Sequence, residues 1–533
     1  MMSAGDMEPA SFAPDSPGLR AEGLTLERRI GSLRRSLAAA LAHVKANPSR
    51  SLELREHFSS MSRQIENARP HAELAPLVLD LISALHPLPI AWGEWTTWME
   101  ALRFALDVCE RYDLPGLRIR FLSHMVNMLH YIGQFDRVSA LCQEIRAHGR
   151  LPESASDYVS GIHTEILILM VEQKLDTARE RLEALSADPL FKSLPEPTRT
   201  EIDVRIGLIW QEYYRQTEHY PEALTILSRA VTALERTPHA SDSLRADVYR
   251  CRGLIHWVTA AYPEAVSDFR RALDINASLN DTVLEGAVLG NLGLVHWSLG
   301  QYAEAEACKL SAVRTARALR ANWNLCREQG DLALVHICQG WLERALAEIE
   351  DQLSLATRLD VQREIARAQG NRGIVLFHLG RHDAAARDLI NDLAVTQSVE
   401  GVGVARVNLS RCIAAQGRAG EARFEAEQAL SVAIEKGLPA LETLALRALA
   451  EALPPPDALP VLQRGLALAR RLSRRLDEAG CLFELARLAD DDAARDSLWQ
   501  QAVDLLDQMG AGGWREAARS LPRTAPPRLP AIA

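Results

Sequence analysis

A forty-residue repeat limits what this chain can fold into. Residues 249–273, YRCRGLIHWVTAAYPEAVSDFRRAL, align with residues 289–313, LGNLGLVHWSLGQYAEAEACKLSAV; the frame continues as QGDLALVHICQGWLERALAEIEDQL from Gln329 and QGNRGIVLFHLGRHDAAARDLINDL from Gln369. Each unit reads as helix, turn, helix. A small residue on the first helix (Gly253, Gly293, Ala333, Gly373) is followed twelve positions later by an alanine on the second (Ala265, Ala305, Ala345, Ala385), which lets the two backbones approach closely. Gly300, Gly340 and Gly380 fall where the first helix must stop, and a left-handed cap costs glycine little. Leu292, Val295 and Leu299 share one helical stripe, while Ala305, Ala312 and Val313 give the partner helix an inward face. One unit alone can bury neither face, so the units must stack.

Stacking also answers the length, because 533 residues exceed one hydrophobic core. Apolar residues make up 47% and charged residues 24%, enough to build a core and keep a polar surface. The net charge of -10 carries no field that would hold a phosphate backbone, so nucleic acid is not expected as a partner. The eight cysteines form no Cys-x-x-Cys pair and mostly sit inside apolar helical patterns, which fits reduced thiols in a cytoplasm. Residues 1–20 show no basic start followed by an apolar run, so a secretory signal is not expected, and no segment reads as a membrane span.

The units resemble the tetratricopeptide repeat, in which Leu-Gly, aromatic, alanine and large apolar positions recur across a helical pair; Ala265 followed by Phe269 matches it well. This repeat is about six residues longer than the usual thirty-four, and histidine stands in for the aromatic that usually ends the first helix. The longer form is similar to repeats of bacterial signalling proteins, including the repeat portion of large signalling ATPases, although the nucleotide-binding core of those enzymes is absent from this sequence. The resemblance implies an all-α, right-handed α-solenoid of stacked helix-turn-helix units. Looser copies place the marker alanine at Ala101, Ala178, Ala223, Ala422, Ala458 and Ala494, with Val138 in the same role, giving about eleven units between residues 72 and 510. The expected organisation is a disordered tail over 1–25 and a capping helical hairpin over 26–71 that turns at Asn47-Pro48-Ser49. Divergent repeats follow over 72–245, well-formed repeats over 246–435, divergent repeats again over 436–515, and a loose, proline-rich tail over 516–533.

His256, His296 and His336 recur at one repeat position, but a ladder with one imidazole per packed helix does not converge on an ion, so no metal and no cofactor are expected. Trp257 and Trp297, with Ile337 and Phe377 after them, form an apolar row that either packs in the core or meets a ligand. Gly290, Gly330 and Gly370 within the first helices point to close packing or a groove. Beside them stand Asn291, Asp331 and Asn371, with Asn408 in the next unit; Arg327 and Arg367 lie one helical turn before, and Arg250 in the unit at the head of the array. In similar repeats such residues grip a peptide, since an amide donates and accepts and a guanidinium offers a forked donor to a carboxylate; a solvated helix face explains them equally well. Arg28, Arg29, Arg34, Arg35 and Lys45 flank an apolar stripe on a capping helix, and Trp92, Trp95 and Trp98 read as one packed helix face. Phosphate-loop, zinc-protease and nucleophile-elbow motifs are absent, and Cys338 lies only two residues from His336, a spacing that points them apart on a helix.

These observations imply a non-catalytic scaffold or adaptor that binds a partner protein or peptide and sits in the cytoplasm, and the resemblance implies a place in bacterial signalling or regulation. The rival reading is a sensor whose groove takes a small peptide or metabolite and thereby controls an effector. Oligomeric state is not legible.

Overall fold

Helices begin where the forty-residue frame puts them: Asp242, Thr282, Asn322 and Gln362 each open a first helix, and Tyr262, Tyr302, Leu342 and His382 each open its partner. The computed structural model describes residues 17–47, 51–86, 88–131, 134–148, 151–237, 239–396 and 398–532, and among these there is no strand. The chain divides into two compact units, one comprising Met1–Thr217 with Arg236–His239, the other Glu218–Glu235 with Ala240–Ala533.

The first unit contains α1 (Pro17–Ala46), α2 (Ser51–Ala68), α3 (Ala75–Leu85), α4 (Leu88–Ala91), α5 (Trp95–Arg111) and α6 (Pro115–Tyr131). It continues with α7 (Phe135–Ala147), α8 (Ala155–Val171), α9 (Leu175–Ser186), α10 (Pro189–Ser193) and α11 (Thr198–Gln216). Residues 17–25, expected as tail, are helical; residues 1–16 lie outside the described residues, as do Pro48 and Ser49 of the expected hairpin turn. Leu37, Leu41 and Val44 are buried on α1, which packs against α2 and α3, while Arg28, Arg29, Arg34, Arg35 and Lys45 stay exposed. Trp92, Trp95 and Trp98 do not form one helix face, because α5 starts only at Trp95. Trp92 and Trp98 instead converge on Phe58, at ring distances of 5.5 and 6.3 Å. Between α9 and α11 the repeat is interrupted by the short α10, capped by Asp188, whose carboxylate accepts from the Leu190 amide at 3.0 Å.

This unit also buries a histidine pair. The imidazoles of His86 and His124 stack with centroids 3.5 Å apart and planes 7° from parallel, and among the described residues neither Nδ1 has a hydrogen-bond partner. Burial drives His86 down to about 3, and burial aided by the charges of His86 and Arg120 drives His124 well below its ordinary value. The unfolded chain therefore takes up the proton first: stability is complete above pH 6.5 and declines as pH falls from there through about 3. His86 alone is expected to cost about 2 kcal/mol at about pH 5 relative to neutral pH. Thermal melts across that range check this, and the His86→Leu, His124→Leu variant should show a visibly shallower dependence.

The second unit contains α12 (Tyr220–Arg236), α13 (Asp242–Val258), α14 (Tyr262–Leu279), α15 (Thr282–Ser298) and α16 (Tyr302–Ala318). Next come α17 (Asn322–Gln339), α18 (Leu342–Arg358), α19 (Gln362–His378), α20 (His382–Val395), α21 (Val399–Ala415) and α22 (Ala419–Glu435). The series ends with α23 (Pro439–Ala452), α24 (Pro455–Arg471), α25 (Arg475–Leu488), α26 (Asp492–Gln508) and α27 (Gly512–Ser520). From α13 to α23, each odd-numbered helix packs on the helix that follows it and on the next odd-numbered helix, and α25 packs on α26, so the first helices form a continuous inner layer. The marker residues Ala265, Ala305, Ala345, Ala385, Ala422 and Ala458 are buried, as are Ala101, Val138, Ala178 and Ala223. Ala494 is not: it is exposed in the first turn of α26, where its amide donates to the capping Asp491 carboxylate at 2.8 Å, and Trp499, Ala502 and Leu506 fill the core instead.

Gly300, Gly340 and Gly380 adopt φ of +68°, +83° and +73°, the left-handed caps expected of them. The second unit also returns on itself. Phe483, Trp499, Leu506 and Trp514 share one core cluster with Tyr302, Ala305, Val335 and Cys338. The Trp514 indole donates to the Ile337 carbonyl at 2.9 Å, and the Tyr302 amide donates to the Met509 carbonyl at 3.2 Å.

Candidate binding groove on the inner layer

Residues forty apart on successive first helices share one face, so the polar positions read from the sequence line the inner layer. On α17 and α19 they close on one another. Lys309, from α16 and only 1% exposed, donates to Glu328 at 2.9 Å and to Asp331 at 2.7 Å. The other Asp331 oxygen accepts from Arg367 at 2.8 Å, and Arg367 also reaches Glu364 at 2.9 Å and the Arg327 carbonyl at 3.1 Å. Arg327 pairs with Glu328 at 2.9 Å. Burial would raise the Asp331 carboxyl, but Lys309 and Arg367 outweigh it and hold it at about 2. Arg327, Asp331 and Arg367 are thus joined in a ladder between repeats, with Lys309 as a member the sequence reading missed. A glycine at 330 makes room for it: a Cβ there would meet the Gln352 amide at 2.5 Å and the Arg367 guanidinium at 2.6 Å.

One turn further on, a cavity of about 790 Å³ opens among α19, α20 and α21, lined by Arg363, Arg367, Asn371, Asp392, Val404 and Asn408, and bounded by Ile532. Among the described residues, the buried Asn371 Nδ2 has no hydrogen-bond partner. Burial pushes the Asp392 carboxyl up, partly offset by a hydrogen bond from Thr396. Three residues chosen from the sequence therefore meet at one cavity: Arg367, Asn371 and Asn408. The others do not join them. Asn291 is half-buried on α15, Arg250 pairs with Asp247 at 2.6 Å on its own helix, and the Trp257 indole donates to Ser298 at 2.9 Å. The Trp297 indole meets the Cys338 sulfur at 3.3 Å and packs against the core. Burial pushes the Cys338 thiol up to about 12, which leaves it a poor nucleophile. His256, His296 and His336 each face a different partner: Asp268 at 3.8 Å, Gln301 at 2.7 Å and Glu306 at 3.4 Å.

The largest departure from expectation is the final segment. Residues 526–532 form neither helix nor turn, yet Pro526, Pro527, Leu529, Pro530 and Ala531 are buried against the inner layer. Arg447 on α23, 2% exposed, donates to the carbonyls of Leu529 at 3.1 Å and Pro530 at 2.6 Å. Asn408 on α21 donates to the Ala531 carbonyl at 2.9 Å, and Arg474 at the head of α25 donates to the Ile532 carbonyl at 2.6 Å. Asp477 holds Arg447 at 3.2 Å and Arg474 at 2.6 Å. Beside them Arg411, 1% exposed, pairs with Glu451 at 2.9 Å and lies 5.0 Å over the Phe377 ring, while its Nη1 and Nη2 have no hydrogen-bond partner among the described residues. The tail was expected to be loose because a short proline-rich stretch shows no helical or strand period. Two signals were present: apolar Leu529, Ala531 and Ile532 among the prolines, and Arg411 and Arg447 within otherwise apolar runs.

Residues 244–318 match the family model of the tetratricopeptide repeat. No curated protein matches the sequence. Among solved structures, a Rap protein complexed with Competence and Sporulation Factor is similar over 67% of this chain and 99% of its own, at 15% identity and a TM-score of 0.53. The apo form of the quorum sensor NprR from B. thuringiensis covers 65% of this chain and 98% of its own, at 15% identity and a TM-score of 0.49. A signal-transduction ATPase with a tetratricopeptide repeat sensor from Pyrococcus horikoshii covers 70% and 55%, at 14% identity and 0.47. The family match lies at the head of the regular array, and the fold likeness to the Rap protein extends well beyond it. This chain is an all-helical protein built from tetratricopeptide-type repeats.

Proposed function

We propose that this chain is a non-catalytic interaction scaffold of bacterial signalling or regulation, and that the inner layer of its second unit binds a peptide segment of a partner protein. The observation that carries this reading is that Asn408 on α21, Arg447 on α23 and Arg474 at the head of α25 already grip a peptide main chain by its carbonyls. Main-chain recognition supplies affinity, and neighbouring apolar pockets supply selectivity. The Rap protein that shares the fold was solved in complex with Competence and Sporulation Factor, which agrees with the reading. The reading places the protein in a cytoplasm, in keeping with eight free cysteines of which all but Cys308 are buried. Among the described residues, no helix is long and apolar enough to cross a membrane.

Affinity capture from the native host tests this reading. An Asn371→Leu variant with unchanged helical circular dichroism should recover at least tenfold less of one partner than the wild type; equal recovery of every partner sinks the groove as the binding site. The cavity of about 790 Å³ favours a second reading, a sensor gated by a small peptide or metabolite, because ligand sites run from roughly 300 to 1,000 Å³. Thermal stabilisation by a low-molecular-mass filtrate of host extract supports the sensor, and its absence leaves the scaffold.

A further inference from the structure

The segment 526–532 is built like a ligand. Prolines at 526, 527 and 530 fix their own φ and keep the preceding residues extended, so little backbone freedom is lost on docking. Proline also brings no N–H, so burying these three leaves no orphaned donor while their carbonyls remain free to accept. Leu529 joins the cluster around Phe483 and Trp499, and Ala531 the cluster around Leu441 and Leu444; Ile532 packs beside Ile337 and Ile374 and closes the cavity. Successive side chains thus enter separate pockets while the backbone is held from α21, α23 and the head of α25.

The fit is incomplete in one respect. Among the described residues, two buried guanidinium nitrogens of Arg411 have no hydrogen-bond partner, and the exposed Arg528 of the segment brings a like charge that acts on both Arg411 and His378. An acidic residue in place of Arg528 would turn that repulsion into attraction.

Resting on the function proposed above, we infer that the cleft of Asn408, Arg447 and Arg474 recognises extended, proline-containing apolar segments that carry an acidic residue beside Arg411, and that residues 526–532 are its intramolecular occupant, displaced when a partner segment of that chemistry binds. Tethering presents such an occupant at an effective concentration on the order of millimolar, so an occupant whose own Kd is about 100 μM or tighter weakens any competitor by about tenfold or more.

The test is fluorescence anisotropy with labelled synthetic peptides of residues 525–532, Ala-Pro-Pro-Arg-Leu-Pro-Ala-Ile, and the same peptide with Glu in place of Arg. The proteins are the full chain and its Leu529→Glu and Ala531→Glu variants, which dislodge the segment through two different pockets. Either variant should bind the peptides at least tenfold more tightly than the wild type, and the Glu peptide should bind at least threefold more tightly than the Arg peptide. Adding Asn408→Ala should weaken binding at least threefold. The wild type gives an answer without any variant: saturating Glu peptide should speed tryptic cleavage after Arg528 at least tenfold, since Leu529 and Pro530 leave their pockets. Equal affinity for wild type and variants, with cleavage unchanged, overturns the intramolecular occupant. No binding to helical variants overturns the cleft as a site. Partner capture sensitive to Asn371 stands or falls independently of these results.

Discussion

Lys309→Met is expected to lower the stability of the second unit by about 3–5 kcal/mol, because it removes one partner from a buried ion cluster and leaves carboxylates uncompensated. Methionine keeps the length and bulk that pack beside Gly293, where a Cβ would lie 3.0 Å from Lys309 Cγ, so the loss reports charge rather than a cavity. Among the described residues, Glu328 then keeps Arg327 and Asp331 keeps Arg367 as cationic partners. The pH dependence identifies the cause. In the wild type the Asp331 carboxyl is held at about 2 rather than 3.8, so its contribution, roughly 2 kcal/mol, is present above pH 3.8 and lost as pH falls through about 2. Without Lys309, burial dominates and the folded-state pKa rises, so the variant recovers stability relative to the wild type as pH falls from 7 towards 5. Denaturant melts at both pH values check this; a gap that stays constant with pH contradicts the ion-cluster account.

Gly340→Ala is expected to cost about 3–5 kcal/mol and to release α27. Alanine at φ +83° costs about 1–2 kcal/mol by itself. The larger part comes from contact: a Cβ would overlap the Trp514 backbone nitrogen and lie 2.8 Å from the Gly513 carbonyl carbon, and neither can swing aside as a side-chain end can. Trp514 and Met509, both buried, would then lose their seats. Gly380→Ala is the built-in comparison, since Gly380 has φ +73° but nothing within 4 Å, and should cost only about 1–2 kcal/mol. Acrylamide quenching of tryptophan should rise for Gly340→Ala and not for Gly380→Ala. Equal losses for both would mean that the return of α27 onto the inner layer does not stabilise the unit.

The helical array was legible because its signals are local and periodic: a small residue facing an alanine twelve positions on, and a glycine where the first helix ends. The turns that join one repeat to the next were harder to read. Asn280, Arg320 and Asp360 also take positive φ at forty-residue intervals, but only Asn and Asp tolerate that conformation readily, so Arg320 gave no sign of it. Ala260 fills the place of the turn glycine in the first regular unit for the same hidden reason. The candidate site was legible in part. Asn371, Asn408 and Arg367 could be picked out because repeat position implies a shared face. Arg447, Arg474 and residues 526–532 could not, because their pairing spans 58 to 83 residues and depends on the second unit returning on itself. The aromatic row at Trp257 and Trp297 illustrates the converse: periodicity put it on the inner layer, but only geometry shows both indoles engaged by Ser298 and Cys338.

Photo-crosslinking tests most directly whether the inner layer of the second unit is where a partner segment binds. Benzoylphenylalanine would replace either Val404, which lines the cavity, or Phe424, 56% exposed on the outer helix α22, and the full chain would be irradiated in host extract. The account predicts a defined adduct from position 404, reduced by excess of the Glu-substituted peptide, and none from position 424. Adducts from position 424 alone would contradict it and move recognition to the outer helices.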